Sequence, residues 1–210
     1  MTSKYEHREE SLANAGDASG LQALVARATR AGKGQPPVER WNPDFCGDID
    51  MEIRPDGTWF YQGTPIGRPS LVQLFSTVLR KDEDGKTYLV TPVEKLGVRV
   101  IDAPFVAVEM NATGEGDRQV LTFRTNVGDV VEAGPEHPLR FVDEDGTGGL
   151  KPYVLVRGRL EALLARPVMY ELIGHGEEIE VGGEPMFAVR SNGETFPIMP
   201  AERLRRLAAG

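Results

Sequence analysis

The chain of 210 residues carries 24 Lys and Arg against 32 Asp and Glu, which gives a formal net charge of −8. Long nucleic acids are excluded as partners, because phosphate contacts need clustered Lys and Arg whose counterion release supplies the affinity. One cysteine, Cys46, and three scattered histidines exclude a disulfide framework and a Cys/His zinc site, so we expect neither metal nor cofactor. A small anionic ligand stays compatible with the charge, since a local group of Arg and Lys can dominate one cleft.

The start of the chain has no targeting or membrane signal. Its first residues lack the basic start, apolar middle and small-residue cleavage site of a signal peptide. No apolar run approaches the roughly 18 residues of a membrane span. Together with the single cysteine, this predicts a soluble cytoplasmic protein without a membrane partner.

Residues 1–46 predict an N-terminal helix followed by a linker. Ser19 is a typical N-cap, Gly32 a typical stop, and the apolar residues between them share one helical face. The Gly- and Pro-rich stretch after Gly32 is typical of a linker.

Residues 47–115 predict a first α+β domain. Ile49, Met51 and Ile53 alternate with acidic residues, and an Asp-Gly turn at Asp56 follows, which is a strong hairpin signal. From Pro69 the apolar spacing becomes helical for about three turns. β-Branched runs then return, which indicates further strands.

Residues 116–200 predict a second α+β domain, with a basic C-terminal tail at 201–210. A hairpin surrounds Asn126 and Gly128, and strand, turn and strand follow up to Arg157. The leucine spacing predicts a helix from Leu160 that Pro167 kinks or restarts. A last hairpin precedes the tail.

The two domains share one outline at a constant offset. Asp56-Gly57-Thr58 falls on Asp145-Gly146-Thr147, and the arginine and apolar positions after each turn also match. The predicted fold is therefore α+β, with two antiparallel-sheet halves, each hairpin–helix–hairpin, related by internal duplication. The alternative is that the two segments match by chance, because Asp-Gly turns and Leu-x-x-Leu helices are common. Two such halves would bury apolar surface against each other and leave a cleft, where small ligands preferentially bind.

Several segments resemble the bacterial domain-of-unknown-function family 1285. They include "DGTWFY", "YLVTPVEK", "DAPFVAVE", "LTFRTNVGD" and "LEALLARPVMYEL", and they occur in order from about Gly47 to Glu171. The resemblance implies a duplicated α+β core whose second half is similar to a pleckstrin-homology domain. It also implies a ligand site at the domain interface, suited to a nucleotide-based molecule, and a role in signal transduction. It implies no catalytic residue.

Arginines near turns are the first candidate ligand contacts. Arg124 lies at the mouth of a hairpin with Asn126, where a guanidinium fork and a glycine turn could hold phosphate oxygens. A bridge from Arg124 to an acid such as Asp129 is the alternative. Arg68 and Arg157, equivalent under the repeat, each precede a predicted helix and could draw in an anion. A salt bridge between the halves is the simpler interpretation of both.

Four further residues complete the candidate site. Lys95 could serve an anion, although Glu94 beside it also fits a solvated turn. His137, near Arg140, is the one histidine close to a predicted strand edge within the matched core, and packing is its alternative role. Trp59 belongs to an aromatic run whose side chains alternate faces, so one ring could stack on a base or cover the other half.

The leading hypothesis is a ligand-binding or signal-transduction protein that holds a small anionic, nucleotide-like ligand between its halves. A protein–protein interaction module is the first alternative, and a hydrolase of a phosphorylated small molecule is the second. The sequence contains no phosphate loop, no G-x-S-x-G nucleophile elbow and no H-E-x-x-H motif, which places the enzyme last.

Overall fold

The structure is a computed structural model that describes residues 26, 35–144 and 149–208. The chain divides into two compact units. The first runs to Pro104 and also takes in Gly158–Leu160, and the second contains the rest of the chain from Phe105 onward. The predicted N-terminal helix falls outside the described residues apart from position 26, as does the turn at 145–148.

The first unit contains one six-stranded sheet, which we call sheet A, and one α-helix. The strand order of sheet A is β3-β2-β1-β6-β5-β4, and β1 and β6 are parallel. After a 3-10 helix at Val38–Arg40, the elements are β1 (Phe45–Ile53), β2 (Trp59–Tyr61), β3 (Thr64–Pro65), α1 (Pro69–Thr77), β4 (Leu79–Lys81), β5 (Thr87–Val90) and β6 (Lys95–Val100).

The Asp-Gly turn joins β1 to β2, as predicted. The Thr58 amide donates to the Asp56 carboxylate at 2.9 Å, and the Arg54 amide donates to the Thr58 carbonyl at 3.0 Å. Gly57 has a φ of 81°, a left-handed conformation that a side chain would strain. The hairpin prediction is confirmed.

Helix α1 packs against strand β2 of sheet A through Phe75. It begins at Pro69, whose missing N–H and fixed φ suit the first helical position, and it buries Leu71 and Phe75. The Phe75 ring stacks on Trp59 with centroids 6.5 Å apart, and Trp59 is 1% exposed. Trp59 is therefore a core residue of the first unit.

The second unit contains a six-stranded sheet, sheet B, and a three-stranded sheet, sheet C. The strand order of sheet B is β10-β11-β12-β7-β8-β9, and β7 and β12 are parallel. Its strands are β7 (Phe105–Thr113), β8 (Val120–Thr125), β9 (Val130–Glu132), β10 (Leu139–Asp143), β11 (Leu150–Arg157) and β12 (Leu160–Leu164), with a 3-10 helix at Gly116–Arg118.

Helix α2 (Arg166–Gly174) follows sheet B and precedes sheet C. Sheet C is an antiparallel meander of β13 (Glu177–Val181), β14 (Glu184–Ser191) and β15 (Glu194–Pro200), and α3 (Ala201–Ala208) ends the described chain. The predicted last hairpin is therefore two hairpins that share β14.

The two six-stranded sheets have the same strand topology. In each, the first three strands and the last three strands form neighbouring runs, and the first strand pairs in parallel with the sixth. The fold is α+β with two similar halves, as expected. The prediction that both halves are antiparallel sheets is wrong, because each sheet contains one parallel strand pair at its centre. The halves differ in their helix, because α1 lies between the two runs of sheet A whereas α2 follows all six strands of sheet B.

The gap-free alignment of the two halves is wrong. Leu160–Leu164 was expected to be helical, but it forms β12, in which Leu160, Ala162 and Leu164 are buried and alternate with half-buried residues. The leucines fit both periods, and pairing with β7 selects the strand. The helix starts later, at Arg166, so the hairpin–helix–hairpin description does not fit the second half.

The two helices nevertheless resemble each other. Each has nine residues, with proline among its first two positions. The third and seventh residues of each are buried: Leu71 and Phe75 in α1, and Val168 and Leu172 in α2. The similarity between the halves is thus real at the helix but displaced along the chain.

Ser191 connects sheet C to sheet B, and its replacement tests this contact. Its buried hydroxyl accepts the Leu121 amide at 2.9 Å and donates to the Ala133 carbonyl at 2.7 Å. Ser191→Ala leaves the Leu121 amide without its acceptor, so we expect a loss of about 2 kcal/mol in the free energy of unfolding. Urea denaturation measures this loss. The exposed Ser70→Ala should change stability by less than about 0.5 kcal/mol, and equal effects of the two variants would contradict the assignment.

Candidate functional site

Arg80 is a buried cation of the first unit, and its role is structural. It is 7% exposed and donates to the Val38 and Trp41 carbonyls at 2.8 and 2.6 Å. Its Nε donates to the Asp82 carboxylate at 2.6 Å. Arg80 thus fastens the segment before β1 to strand β4.

Lys95, a predicted ligand contact, belongs to the same cluster. Its Nζ lies 3.2 Å from Asp82 and 4.7 Å from the Tyr88 ring centroid. The Arg80 hydrogen bond, with a further contribution from Lys95, lowers the pKa of Asp82 below its usual range. Lys95 is therefore held by an ion pair within the fold.

Tyr88 donates a short hydrogen bond to Asp84, with 2.5 Å between the oxygens. This bond is the largest cause that raises the Tyr88 pKa to about 12, and burial and nearby acids add to it. The same bond lowers the pKa of Asp84. Both shifts favour the protonated phenol facing an ionised carboxylate.

A cavity of about 420 Å³ in the first unit is the better candidate site. It runs from the β4–β5 turn across β5 and β6 to β1, where Lys81 pairs with Thr87, Thr87 with Val98, and Asp48 with Gly97. Its charged lining is Lys81, Lys86, Arg99, Asp48 and Asp102, and its apolar lining is Ile49, Val98, Val100 and Pro104.

Two cations of this cavity lie outside the ion pairs of the described residues, although the Lys86 charge contributes to the lowered pKa of Asp84. Within the described parts of the chain, neither the Lys81 nor the Lys86 amino group forms an ion pair, whereas Arg99 lies 3.3 Å from Glu52. Gly97 makes room for the Asp48 carboxylate, because a Cβ at position 97 would lie 1.9 Å from Asp48 Oδ1. The cavity therefore presents two ammonium groups that lie outside the described ion pairs, together with the carboxylates of Asp48 and Asp102.

Arg124 and Asn126 serve the second unit's own structure. Both ends of the Arg124 guanidinium bind Glu109, its register partner on β7, and the Nε–Oε2 distance is 2.7 Å. This bond raises the Arg124 pKa and lowers that of Glu109. Asn126 exchanges hydrogen bonds with the Val106 backbone at 3.0 and 2.8 Å.

Arg140 and Arg157 are also paired. Arg140 makes two bonds of 2.7 Å to Glu161 and stacks on Tyr153 at 4.3 Å. Arg157 bonds to Asp129 at 2.5 Å, a pair that is less than one-fifth exposed. These guanidinium groups already have the carboxylate partners that an anionic ligand would have to displace.

His137 lines a second cavity, of about 530 Å³, at the β9 end of sheet B. Its Nδ1 lies 3.0 Å from the Leu155 carbonyl, so Nδ1 carries the proton that makes this bond. Arg68 is exposed at the N-cap of α1, as predicted for a residue ahead of a helix. The other seven predicted residues line neither this cavity nor the one in the first unit.

The lysines of the first cavity were not among the residues predicted from the sequence. Lys81 and Lys86 flank the acidic run Asp82–Asp84, so their charges looked like part of a solvated turn. In the structure two of these acids have other partners, because Asp82 binds Arg80 and Asp84 binds Tyr88.

No trio of His, Cys, Asp or Glu among the described residues is placed to hold a metal ion.

Two family models match the chain in succession. Residues 36–103 match the domain of unknown function DUF1285, N-terminal domain, and residues 104–198 match the protein of unknown function DUF1285, C-terminal domain. The two matches meet where the structure changes from the first unit to the second. No helix in the described ranges has the length and apolar character needed to cross a membrane.

Two crystal structures of DUF1285 family proteins are similar to this chain. The protein from Silicibacter pomeroyi DSS-3, at 2.50 Å resolution, has 50% identity and a TM-score of 0.78, with 87% of this chain and 98% of that chain covered. The protein from Shewanella baltica OS155, at 1.40 Å, has 25% identity and a TM-score of 0.47, with 60% and 91% covered. No curated protein matches the chain.

Replacing Arg80 tests its structural role. Arg80→Met removes the buried guanidinium and leaves the Val38 and Trp41 carbonyls without their hydrogen-bond donor. We therefore expect the free energy of unfolding to fall by about 3 kcal/mol. Arg54→Met, which removes an exposed arginine directly after β1, should cost less than about 1 kcal/mol. Chemical denaturation compares the two, and equal losses would contradict the role of Arg80.

The Tyr88 pKa predicts an alkaline loss of stability. The folded pKa is raised from 10.0 to about 12, so the stabilisation is fully present below pH 10 and is lost as pH rises toward 12. Tyrosinate absorbance should show one late step that Tyr88→Phe removes. The exposed Tyr170→Phe should leave that step in place, and a late step that persists in Tyr88→Phe would refute the assignment.

Proposed function

The chain belongs to the DUF1285 family of proteins of unknown function, and from that premise we propose that it is a binding protein whose first unit holds a small anionic ligand of the nucleotide class. The site is the cavity lined by Lys81, Lys86 and Asp48. The observation that carries the proposal is that neither lysine amino group forms an ion pair with a described carboxylate, whereas the neighbouring Lys95 and Arg99 do.

The two lysines supply the phosphate contacts. An ammonium group offers three rotatable donors, and its charge-assisted hydrogen bonds to phosphate are stronger than neutral ones. The lysines come from the two ends of one turn, Lys81 at the end of β4 and Lys86 just before β5, so both can approach one phosphate group. Phosphate binding would also relieve the repulsion between the two cations.

The rest of the cavity suits the remainder of a nucleotide. The Asp48 carboxylate can accept hydrogen bonds from a sugar hydroxyl or a base amino group. The apolar side chains of Val98, Val100 and Pro104 offer a surface for a base. A volume of about 420 Å³ lies within the usual range for small-molecule sites, roughly 300–1,000 Å³.

A cytoplasmic role in signal transduction is part of this proposal. A protein that binds its ligand without converting it would act as a sensor of that ligand. The second unit, in which helix α2 directly follows the six strands of sheet B, is on this proposal the pleckstrin-homology-like half. The shared strand topology of the two units supports an origin by duplication.

Nothing in the described residues favours the hydrolase. A catalytic acid near neutral pH needs a raised carboxyl pKa. The shifted carboxyl groups, Asp56, Asp82, Asp84, Glu109 and Asp143, all have lowered pKa values, and hydrogen bonds are the largest cause in each. These shifts are those of ion pairs and turns, so the binding protein is the function we propose.

Ligand binding is tested by thermal shift and calorimetry. The panel is inorganic phosphate, ATP, GTP, cyclic AMP and cyclic di-GMP, and at about 100 times Kd a ligand adds roughly 2.7 kcal/mol to stability. The double variant Lys81→Ala/Lys86→Ala should weaken the best ligand by about 100-fold, since each lost charge-assisted bond costs roughly 1.5 kcal/mol or more.

A charge-matched variant controls for long-range electrostatics. Arg118→Ala/Arg206→Ala removes two exposed cations outside the cavity and should change Kd by less than about threefold. An absence of any shift across the panel would count against the proposal. Equal weakening by the two double variants would show that the cavity is not the site.

A further inference from the structure

Strand β9 forms an open edge of sheet B. It is the last strand in the sheet order, and among the described strands it pairs only with β8. The Thr125 amide donates to the Asp129 carbonyl and the Ala133 amide donates to the Leu121 carbonyl, both at 2.8 Å. Hydrogen-bonding direction alternates along an antiparallel strand, so Asp129, Val131 and Ala133 direct their N–H and C=O groups toward β8. The N–H and C=O groups of Val130 and Glu132 therefore point away from the sheet.

The groove along this edge is acidic. Its volume is about 530 Å³, and its lining contains Glu132, Glu136 and His137 but no Lys or Arg. Neither glutamate forms an ion pair with any described residue. Val130, at 62% exposed, adds an apolar side chain to the same edge.

Both ends of the open edge are fixed. At one end Thr125 accepts the Asp129 amide at 3.0 Å through its hydroxyl, which holds the turn before β9. At the other end Asn192 donates to the Ala133 carbonyl at 2.9 Å, and Ser191 donates to it at 2.7 Å. The outward groups of β9 are therefore presented by a held backbone, which reduces the ordering cost of binding.

We propose that the β9 edge is a docking site for an extended, basic peptide segment of a partner protein. The segment adds to sheet B as a seventh strand and pairs with the outward N–H and C=O groups of Val130 and Glu132. Alternate side chains of an added strand point to the same face, so Lys or Arg at every second position can reach Glu132 and Glu136. The apolar positions between them cover Val130.

The charges favour a basic partner over a second copy of this chain. Pairing of two β9 edges would place the Glu132 and Glu136 groups of both copies in one groove, where like charges repel. The opposite edge of sheet B, β10, offers no comparable charge. Its Arg140 already binds Glu161, and its Asp143 already binds Arg203.

The test uses the full chain and a fluorescein-labelled octapeptide of alternating Lys and Val. Fluorescence anisotropy should give saturable binding, and the backbone amide NMR signals of Val130 and Glu132 should shift. Glu132→Lys should raise Kd at least tenfold, because it replaces attraction by repulsion. Val130→Pro should have a similar effect, because it removes an outward N–H without removing a bond to β8.

Matched controls separate this site from general charge attraction. Glu171→Lys makes the same charge change on an exposed position of α2 and should leave Kd within about twofold. An alternating Glu-Val octapeptide should not bind. Circular dichroism checks that each variant folds. If Val130→Pro does not fold, the Kd of Glu132→Lys is the result that tests the site.

Three outcomes would overturn the proposal. They are no binding of the Lys-Val peptide, equal weakening by Glu132→Lys and Glu171→Lys, and a concentration-dependent dimer that Val130→Pro abolishes. The site lies in the second unit and uses none of the residues of the proposed nucleotide cavity. Failure of either proposal therefore leaves the other standing.

Discussion

The parallel pairing of the first and sixth strands is the constraint on which both six-stranded sheets depend. Hydrogen-bonded neighbours in a meander need only short turns, whereas a parallel pair needs a connection that returns the chain to the same end. In sheet A the Ile101 amide extends the pairing by donating to the Ile53 carbonyl at 3.0 Å, and in sheet B the Ala165 amide does so with Ala107 at 2.9 Å. This pair places β1 and β6, or β7 and β12, at the centre of the sheet.

Both candidate sites follow from that arrangement. The Asp48–Gly97 register pair belongs to the central seam of sheet A, and the cavity with Lys81 and Lys86 begins at this seam and extends outward to β4. In sheet B the same strand order leaves β9 at the outside, where its groups face away from the sheet. One topology thus produces a cavity across strands in one unit and an open edge in the other.

The fold was predictable where local signals agreed. The Asp-Gly turn at Asp56 and the alternation before it fixed a hairpin, and Pro69 marked the start of a helix. Leu160–Leu164 shows the limit of local signals. Leu160 and Leu164 fit both a helical and a strand period, and the deciding contact is with β7, more than 50 residues earlier in the chain. Such a choice is made by tertiary pairing, which spacing alone does not contain.

The candidate site was less predictable, because ion pairing depends on which strands become neighbours. Arg124 binds an acid 15 residues away, Arg140 one 21 residues away and Arg157 one 28 residues away. None of these partners was the residue beside the arginine in sequence. The sequence could therefore identify cations with the right chemistry, but not the cations that stay outside ion pairs in the folded sheet.

In a chain of net charge −8, acids outnumber cations, so an unpaired lysine is more informative than an arginine at a turn. Exposed ion pairs contribute little stability, yet each one removes a cation from the set available to an anionic ligand. Among the described residues the Lys81 and Lys86 amino groups stay outside such pairs, and the three acids between them, Asp82, Glu83 and Asp84, bind Arg80, Arg159 and Tyr88. That local division of charge, rather than the total, is what makes an anion site compatible with an acidic protein.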